Sequence, residues 1–468
     1  MELDVFRKQA HQMVDWMADY LENVSQYPVS PDVVPGQIRA SIPARAPEQA
    51  EPFEQIFADF EQAILPGMTH WQHPSFFGYF PANSSPPSVL AEMLTATLGA
   101  QCMSWLTSPA ATELEQRMME WLRDLLALPA NWTGVIQDTA STATFCALLS
   151  ARERATAGRG NLQGLHGQPR FTVYCSSEAH SSIEKAMRMA GLGSENLRKI
   201  DVDQAFAMVP SELSLQIHRD REEGLTPLCV VAAFGTTGST AIDPLGPLAQ
   251  VCQRENLWLH VDAAFAGSAL ILPEMRIWAE GLERADSFVF NPHKWLMTNF
   301  DCSAYYVKEP QTLLDTFALT PEYLKTAQDD QVYNYRDWGP QLGRRFRALK
   351  LWFVLRSYGA EGLRQIIRQH LEWAQDLASQ IQAAPDFELL APVTFNTLCF
   401  RYLSPQDADL DRVNQTLLQS LNASGEMFMT HTRLKGVYVL RWVLGQTRLE
   451  QRHIAAAWEK IQATARAL

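Results

Sequence analysis

The sequence has few cysteines and no long apolar run, and both shortages narrow what the protein can be. Its seven cysteines among 468 residues are scattered, odd in number and never spaced as a CxxC pair. We therefore expect no disulfide framework and no cysteine-based metal site, and we expect a reducing compartment. No stretch approaches the roughly 18 consecutive apolar residues of a transmembrane helix, so no membrane span is expected.

Positive charge is also scarce. Lys and Arg number 39 against 52 Asp and Glu, which gives a formal net charge of −13. Nucleic acids and anionic membranes attract basic surfaces, so we expect neither as a partner. The first 24 residues carry Glu2, Asp4 and Lys8 and lack the apolar core of a secretory signal. These features predict a cytoplasmic protein.

The apolar residues that are present follow two periodicities. The first 25 residues repeat apolar side chains every three or four positions, which predicts an amphipathic helix. From residue 86 onward, helical patterns alternate with short continuous apolar runs, which are typical of buried strands in a mostly parallel sheet covered on both faces. The predicted strands are 171–175, 228–234, 257–262, 287–290 and 303–307.

This pattern predicts an α/β protein in three parts. Residues 1–85 form an N-terminal helical flap and dimerisation segment, and residues 86–351 form a large α/β domain. Residues 352–468 form a small α+β domain. Ligands of open α/β sheets bind where the strands end at their carboxyl edge, so the residues that follow the strands are the candidates for function.

Polar side chains follow four of the predicted strands. Each has an ordinary alternative explanation, such as a helix cap or a surface loop, and HVD at 260–262 lacks a second cluster of metal ligands. We therefore expect no metal. Taken together, however, the side chains match the needs of one cofactor. They are His180, Thr237, Asp262, Asn291, His293 and Lys294.

Pyridoxal phosphate forms an imine with a lysine amine and withdraws electrons from its substrate. It needs a carboxylate against its pyridine nitrogen and a flat group stacked on its ring. Lys294 can supply the amine, Asp262 the carboxylate and His180 the stacked ring, while Thr237 can hydrogen-bond near the ring. The segment 134–149 reads as a strand, a hydroxyl-rich turn and a helix, whose first N–H groups suit a phosphate. A plain serine or threonine N-cap predicts the same local structure.

Several motifs together carry a family resemblance over almost the whole chain. HPSFFGYFPANSS, SPAATELEQRMMEWL, AHSSIEKA, HVDAAFAGSA and NPHKW resemble those of the aromatic-L-amino-acid decarboxylases, the group II branch of pyridoxal-phosphate decarboxylases with the type I fold. The resemblance implies a seven-stranded type of sheet, a homodimer with shared active sites and a carboxy-lyase activity. It gives the cofactor roles to Lys294, Asp262 and His180, and phosphate contacts to Thr139, Ala140, Ser141, Asn291 and His293.

The resemblance also suggests the proton donor and the substrate contacts. Tyr323, in PEYLK, matches the tyrosine that protonates the substrate carbon, where relatives with phenylalanine make aldehydes instead. Gly343 matches a position that leaves room for a large ring. The chain departs from the family at Gln101 and Met103, which belong to the pocket wall donated by the second subunit. The remaining substrate contacts implied are Trp71, Tyr79, Phe80, Pro81 and Ala82.

Four functions therefore stay open at this point. The main prediction is decarboxylation of an aromatic L-amino acid such as tryptophan, 5-hydroxytryptophan, tyrosine or dihydroxyphenylalanine. An aromatic aldehyde synthase on the same scaffold is the alternative, and the tyrosine at position 323 argues against it. A decarboxylase of acidic or diamino substrates would need a charged pocket, and the segment SFFGYFP argues against one. A non-catalytic binding protein would not need the complete lysine, aspartate and histidine set.

Overall fold

The computed structural model describes residues 1–319, 321–322 and 328–468. These residues form two compact units. The larger unit comprises residues 82–376 and 391–398, and the smaller unit comprises residues 1–81, 377–390 and 399–468. The boundaries expected after residues 85 and 351 remain a prediction.

The larger unit is built on a seven-stranded sheet with the order β1-β7-β6-β5-β4-β2-β3. Strands β6, β5, β4, β2 and β3 run parallel, and β7 is antiparallel to both of its neighbours. The predicted α/β fold with a mostly parallel sheet is confirmed. The strands are β1 Thr133–Gln137, β2 Phe171–Ser176, β3 Leu197–Ile200, β4 Thr226–Ala233, β5 Trp258–Asp262, β6 Ser287–Phe290 and β7 Ser303–Val307.

The central strands are continuous apolar runs because helices bury both of their faces. On one side, Val173 of β2 and Val231 of β4 share a core cluster with Leu148, Ile183 and Met187 from the covering helices. Burying a side chain of this size stabilises the fold by roughly 2 kcal/mol. The helices of this unit are α4 Pro86–Leu98, α5 Pro109–Leu125, α6 Ala140–Thr156, α7 Arg159–Gln163, α8 Ser182–Met189, α9 Pro210–Glu222, α10 Leu245–Glu255, α11 Pro292–Trp295 and α12 Gln311–Phe317.

Helix α13, Arg347–Ala383, is kinked at Gly359, whose φ of 65° lies in the left-handed region. Glycine has no Cβ to oppose that backbone conformation, which explains why the bend falls there.

The smaller unit combines N-terminal helices with a four-stranded sheet of order β10-β11-β9-β8. Trp16 packs against the rings of Phe57 and Phe60, and Phe387 packs edge-on against Trp458 at 4.9 Å. The helices are α1 Leu3–Asn23, α2 Gln37–Ser41, α3 Phe53–Asp59, α14 Leu410–Ala423 and α15 Gln451–Arg466. The strands are β8 Phe387–Leu389, β9 Thr397–Tyr402, β10 Thr430–Leu434 and β11 Val437–Val443.

Two further features bear on the class of protein. Among the helices in the described ranges, none has both the length and the apolarity needed to cross a bilayer. All seven cysteines lie in the described part of the chain, and each is a buried free thiol.

Candidate active site

The predicted cofactor residues meet at the carboxyl edge of the larger sheet. Asp262, the last residue of β5, pairs with Ala233 at the end of β4 and with Val289 near the end of β6. The side chains of His180 and Lys294 lie close enough to act on each other electrostatically, as do those of His180 and Asp262. Three loops that are distant in sequence therefore place an imidazole, a carboxylate and an amine together.

Lys294 lies on a single tight turn that leaves the end of β6. Its N–H donates to the carbonyl of Asn291 at 2.9 Å, and the N–H of Asn291 donates to the carbonyl of Ala264 at 2.9 Å. The next side chain, Trp295, is fully buried and stacks on Phe265 with a centroid distance of 4.9 Å. The aromatic residues around the lysine therefore anchor its backbone, while the lysine itself is partly exposed.

His180 presents an exposed imidazole at this edge. Its Nδ1 accepts hydrogen bonds from the N–H of Ser182 at 3.1 Å and from the Ser182 hydroxyl at 2.7 Å, so the ring proton resides on Nε2. Partial burial of the ring lowers the pKa of His180, as do the Lys294 and Lys199 ammonium groups, and the Asp262 carboxylate opposes them. The imidazole is therefore mainly neutral near pH 7, which suits a ring that stacks rather than one that carries charge.

The carboxylate of Asp262 is oriented by the chain that follows it. Its Oδ1 accepts the N–H of Ala264 at 3.0 Å. Thr237 is exposed in the turn after β4. The neighbouring Thr236 is buried and closes that turn, because its hydroxyl oxygen accepts the N–H of Ala241 at 3.0 Å.

The hydroxyl-rich turn after β1 caps helix α6. Thr139 is the N-cap, and its Oγ1 accepts the N–H of Thr142 at 3.3 Å. The N–H groups of Ala140 and Ser141 begin the helix and have no acceptor within it, and the helix dipole adds positive potential there. Asp138 accepts the N–H of Thr139 at 2.7 Å, which leaves the N–H groups of the following two residues as donors for an anion.

Asn291 and His293 are both buried and each is held in one orientation. The Ser303 hydroxyl donates to Oδ1 of Asn291 at 2.7 Å, which turns the amide NH₂ the other way. The N–H of Cys302 donates to Nδ1 of His293 at 2.8 Å, so the ring proton resides on Nε2. Burial, with the charges of Lys294 and Lys350, lowers the pKa of His293 to about 3. His293 is therefore a neutral donor through Nε2.

Some of the predicted substrate contacts lie in the larger unit, where Gln101 lies close to Gly343. Oε1 of Gln101 accepts the N–H of Arg344 at 2.7 Å, and a Cβ added at Gly343 would lie 3.2 Å from Nε2 of Gln101. Met103 is partly buried, and its carbonyl accepts the N–H of Arg336 at 2.9 Å. Ala82 is also partly buried.

The remaining predicted substrate contacts lie in the smaller unit and form an aromatic surface. Trp71 and Tyr79 stack with a centroid distance of 5.6 Å, and 37% and 54% of their surfaces are exposed. Phe80 is partly buried and Pro81 is buried. Two large rings that stack on each other and still face outward are suited to contact a flat apolar group.

Tyr323, the predicted proton donor, lies outside the described residues.

Asn83 supports the site, although the sequence predicted no role for it. Its side-chain amide donates to the carbonyl of Lys294 at 2.6 Å. His260 of HVD is fully buried, with its ring nitrogens 2.9 Å from the Ser287 hydroxyl and 3.3 Å from the Thr144 hydroxyl. Within the described ranges, no group of three or more His, Cys, Asp or Glu side chains is placed to hold a metal ion.

The chain is similar to known proteins over almost its whole length. Residues 35–403 match the pyridoxal-dependent decarboxylase conserved domain. The chain is 42% identical to tryptophan decarboxylase TDC2 of Camptotheca acuminata, over 100% of this chain and 96% of the relative. It is also 42% identical to phenylacetaldehyde synthase of Arabidopsis thaliana, over 99% and 96%. The crystal structure of Oryza sativa TDC with PLP and tryptamine superposes with a TM-score of 0.97 at 36% identity, covering 100% of this chain and 99% of that one.

The fold and the family model define a pyridoxal-phosphate-dependent enzyme, and the predicted cofactor is confirmed. The chain belongs to the pyridoxal-dependent decarboxylases, within the group II aromatic-amino-acid branch, as the motifs predicted. The donor set at the sheet edge fits this cofactor, since it offers an amine, a carboxylate, an exposed neutral imidazole and the free N–H groups of a helix start. The role of each residue remains a prediction.

Proposed function

We propose that this protein decarboxylates an aromatic L-amino acid to the corresponding amine and CO₂. The observation that carries the proposal is that His180, Asp262 and Lys294 lie together at one sheet edge. There the charges of Asp262 and Lys294 both act on the pKa of the imidazole. The bond between the α carbon and the carboxylate breaks, its electron pair stays on the α carbon, and a proton then replaces the lost CO₂.

Each residue at the sheet edge has a proposed role that follows from its chemistry. When bound, pyridoxal phosphate supplies an electron-accepting ring that stabilises the electron pair left on the α carbon. Lys294 would hold the cofactor through its amine, and the Asp262 carboxylate would keep the pyridine nitrogen protonated. The neutral imidazole of His180 would supply the flat group for stacking, and the Thr237 hydroxyl would supply a hydrogen-bond donor.

The phosphate end relies on fixed donors. The N–H groups of Ala140 and Ser141 at the start of α6, with the hydroxyls of Thr139 and Ser141, would donate to the phosphate. The NH₂ group of Asn291 and Nε2–H of His293 complete the set. These two side chains are held by Ser303 and Cys302, so they donate without losing much freedom when the phosphate binds.

An aromatic substrate is favoured by the rings of Trp71, Tyr79 and Phe80, beside Pro81 and Ala82. A flat side chain gains more from such contacts than a charged one, which would lose its hydration without a partner. We assign the proton donor for the α carbon to Tyr323, from the PEYLK motif. From the family resemblance we also assign substrate contacts to Gln101, Met103 and Gly343.

We further propose a cytoplasmic homodimer in which each subunit contributes to the other's active site. No residue of helix α1 is fully buried within the chain, and helix α4 exposes Leu90, Leu94 and Leu98 along one stripe. A second copy of the chain would cover these apolar surfaces. The seven buried free thiols support a reducing compartment.

A product assay tests the function. The purified protein with pyridoxal phosphate is incubated with tryptophan, 5-hydroxytryptophan, tyrosine, dihydroxyphenylalanine, phenylalanine, histidine and glutamate, and the products are identified by mass spectrometry. Amine and CO₂ from one or more aromatic substrates support the proposal. Aldehyde with ammonia and peroxide, formed at the expense of O₂, would assign the oxidative reaction instead. Lys294→Ala is the control, because it removes the covalent anchor and should abolish turnover, whereas the exposed Lys185→Ala should not.

A further inference from the structure

A buried arginine of the smaller unit holds the segment that carries the predicted substrate rings. Arg441 lies on β11, opposite Thr430 of β10, and only 3% of it is exposed. Its Nη1 donates to the carbonyl of Tyr79 at 2.7 Å. Its guanidinium carbon lies 4.6 Å from the centre of the Phe80 ring. Arg441 therefore contacts both the backbone of Tyr79 and the ring of Phe80.

The segment that Arg441 contacts needs such support. We call residues 76–80 the aromatic turn. Tyr79 has a φ of 53°, in the left-handed region that residues with a Cβ rarely adopt. Gly78 packs so closely on Phe428 that an added Cβ would lie 2.5 Å from its ring. A strained backbone of this kind persists only where its surroundings fix it.

The sheet fixes the start of the aromatic turn through backbone hydrogen bonds. The N–H of Phe77 donates to the carbonyl of Phe428 at 2.8 Å, and the N–H of Val443 donates to the carbonyl of Phe77 at 3.1 Å. Gln446 donates to the carbonyl of Phe76. These bonds hold Phe76 and Phe77, and Arg441 contacts the two residues that follow Gly78, namely the strained Tyr79 and the ring of Phe80.

A charged side chain is costly at a buried position unless its contacts offset the lost hydration. Burial lowers the pKa of Arg441 to about 10, so the guanidinium is still charged at neutral pH. A charge-assisted hydrogen bond and the negative face of an aromatic ring are the two contacts that retain their strength when water is excluded. Both of these contacts are made to the aromatic turn.

We propose that Arg441 is a positioning residue for substrate selection, which fixes Tyr79 and Phe80 so that the aromatic surface of Trp71, Tyr79 and Phe80 is preformed. The link to the substrate rests on the proposed function, whereas the link to the turn rests on the geometry alone. Because a preformed surface avoids an ordering cost on binding, its loss should weaken binding of the aromatic side chain more than it slows the chemical step.

The test compares Arg441→Met and Arg441→Lys with the wild-type holoenzyme. Met keeps the volume and removes both contacts, and Lys can keep the hydrogen bond but not the flat contact with the ring. We expect Met to raise KM for the best aromatic substrate about tenfold while kcat changes less than threefold, with Lys intermediate. Arg433→Met is the matched control, because Arg433 lies over a ring in the same sheet, 5.8 Å from the centre of Tyr438, and is exposed.

Hydrogen exchange of the peptide that covers residues 71–82 supplies a readout that needs no substrate. Faster exchange in Arg441→Met, with Lys intermediate and the Arg433 control unchanged, supports the positioning role even if the proposed reaction fails. A folded Arg441→Met protein with wild-type exchange and wild-type KM overturns the inference. If the Arg441→Met protein does not fold, hydrogen exchange and KM of Arg441→Lys are the test. Faster exchange and a raised KM support the inference, and wild-type values of both overturn it.

Discussion

The side-chain amide of Asn83 donates a 2.6 Å hydrogen bond to the backbone carbonyl of Lys294, across 211 residues of sequence. Asn83 is itself buried. The bond ties the chain that enters the larger unit to the turn that carries the predicted cofactor lysine. The position of the lysine amine therefore depends on an amide that carries no chemistry of its own.

Replacing Asn83 with Ala should weaken cofactor binding. Without this donor the buried carbonyl of Lys294 loses a hydrogen bond, which lowers the free energy of unfolding by about 1–3 kcal/mol. The turn that carries Lys294 also becomes more mobile. We expect the dissociation constant for pyridoxal phosphate to rise about tenfold, measured by fluorescence titration of the apoenzyme. The control is Asn422→Ala, because Asn422 makes comparable bonds to the backbone of Met429 in the smaller unit. Equal cofactor affinity in the two variants would show that the bond does not position the lysine.

Replacing Tyr323 with Phe should divert the product from amine toward aldehyde. Without the phenol, the α carbon loses its predicted proton donor, so that O₂ can react there instead. Mass spectrometry of the products, with a peroxide assay, measures the ratio. Tyr333→Phe is the matched control, since Tyr333 follows in the same segment and its ring packs 5.1 Å from that of Trp338. Amine formed by Tyr323→Phe at the wild-type rate would assign the protonation to another group.

Replacing Gly343 with Ser should narrow the substrate range. The new Cβ would lie 3.2 Å from Nε2 of Gln101, whose carbonyl oxygen is held by the N–H of Arg344, so the amide has little room to move away. We expect kcat/KM for tryptophan to fall about tenfold relative to that for tyrosine. Gly362→Ser is the control, because its Cβ would lie an ordinary 3.7 Å from Tyr358. An unchanged ratio would mean that the space above Gly343 does not receive the ring.

The sheet of the larger unit was predictable where burial leaves a clear pattern. Strands β2, β4, β5, β6 and β7 are all continuous apolar runs, and each was expected within a few residues of its observed bounds. Strand β3 was missed because its sequence, LRKI, lies at the edge of the sheet and carries two cations. Strand β10, THTRL, alternates exposed and covered residues and was missed for the same physical reason.

The site was predictable as a set of residue types, and its supporting contacts were not. Asp262 ends a strand, and His180 and Lys294 each follow one, so topology alone brings the three residues to one edge. The bonds from Asn83 to Lys294, from Arg441 to Tyr79 and from Gln101 to Arg344 depend on tertiary packing between distant segments. Asn, Arg and Gln are common surface residues, so no local pattern distinguishes these three.

A buried histidine behind the Lys294 turn should make the fold sensitive to acid. Nδ1 of His370 accepts the indole N–H of Trp295 at 3.0 Å, and its ring stacks parallel to the indole. Burial lowers the pKa of His370 to about 4, from 6.5 in the unfolded chain. Between these values the unfolded chain binds a proton that the folded chain does not, so stability is full above pH 6.5 and falls as the pH is lowered toward 4. Protonation of His370 therefore lowers the free energy of unfolding by about 3 kcal/mol between pH 6.5 and pH 4.

His370→Gln tests this expectation, because an amide oxygen can accept the indole N–H but does not titrate. Thermal unfolding of the holoenzyme at pH 7.5, 6 and 5 is the measurement, and the variant should lose less stability than the wild type as the pH falls. The exposed His218→Gln is the control, and it should follow the wild type. His260 and His293, whose pKa values burial lowers to about 4 and about 3, remain in both proteins, so the difference isolates His370. Parallel pH profiles would mean that protonation of His370 does not oppose folding.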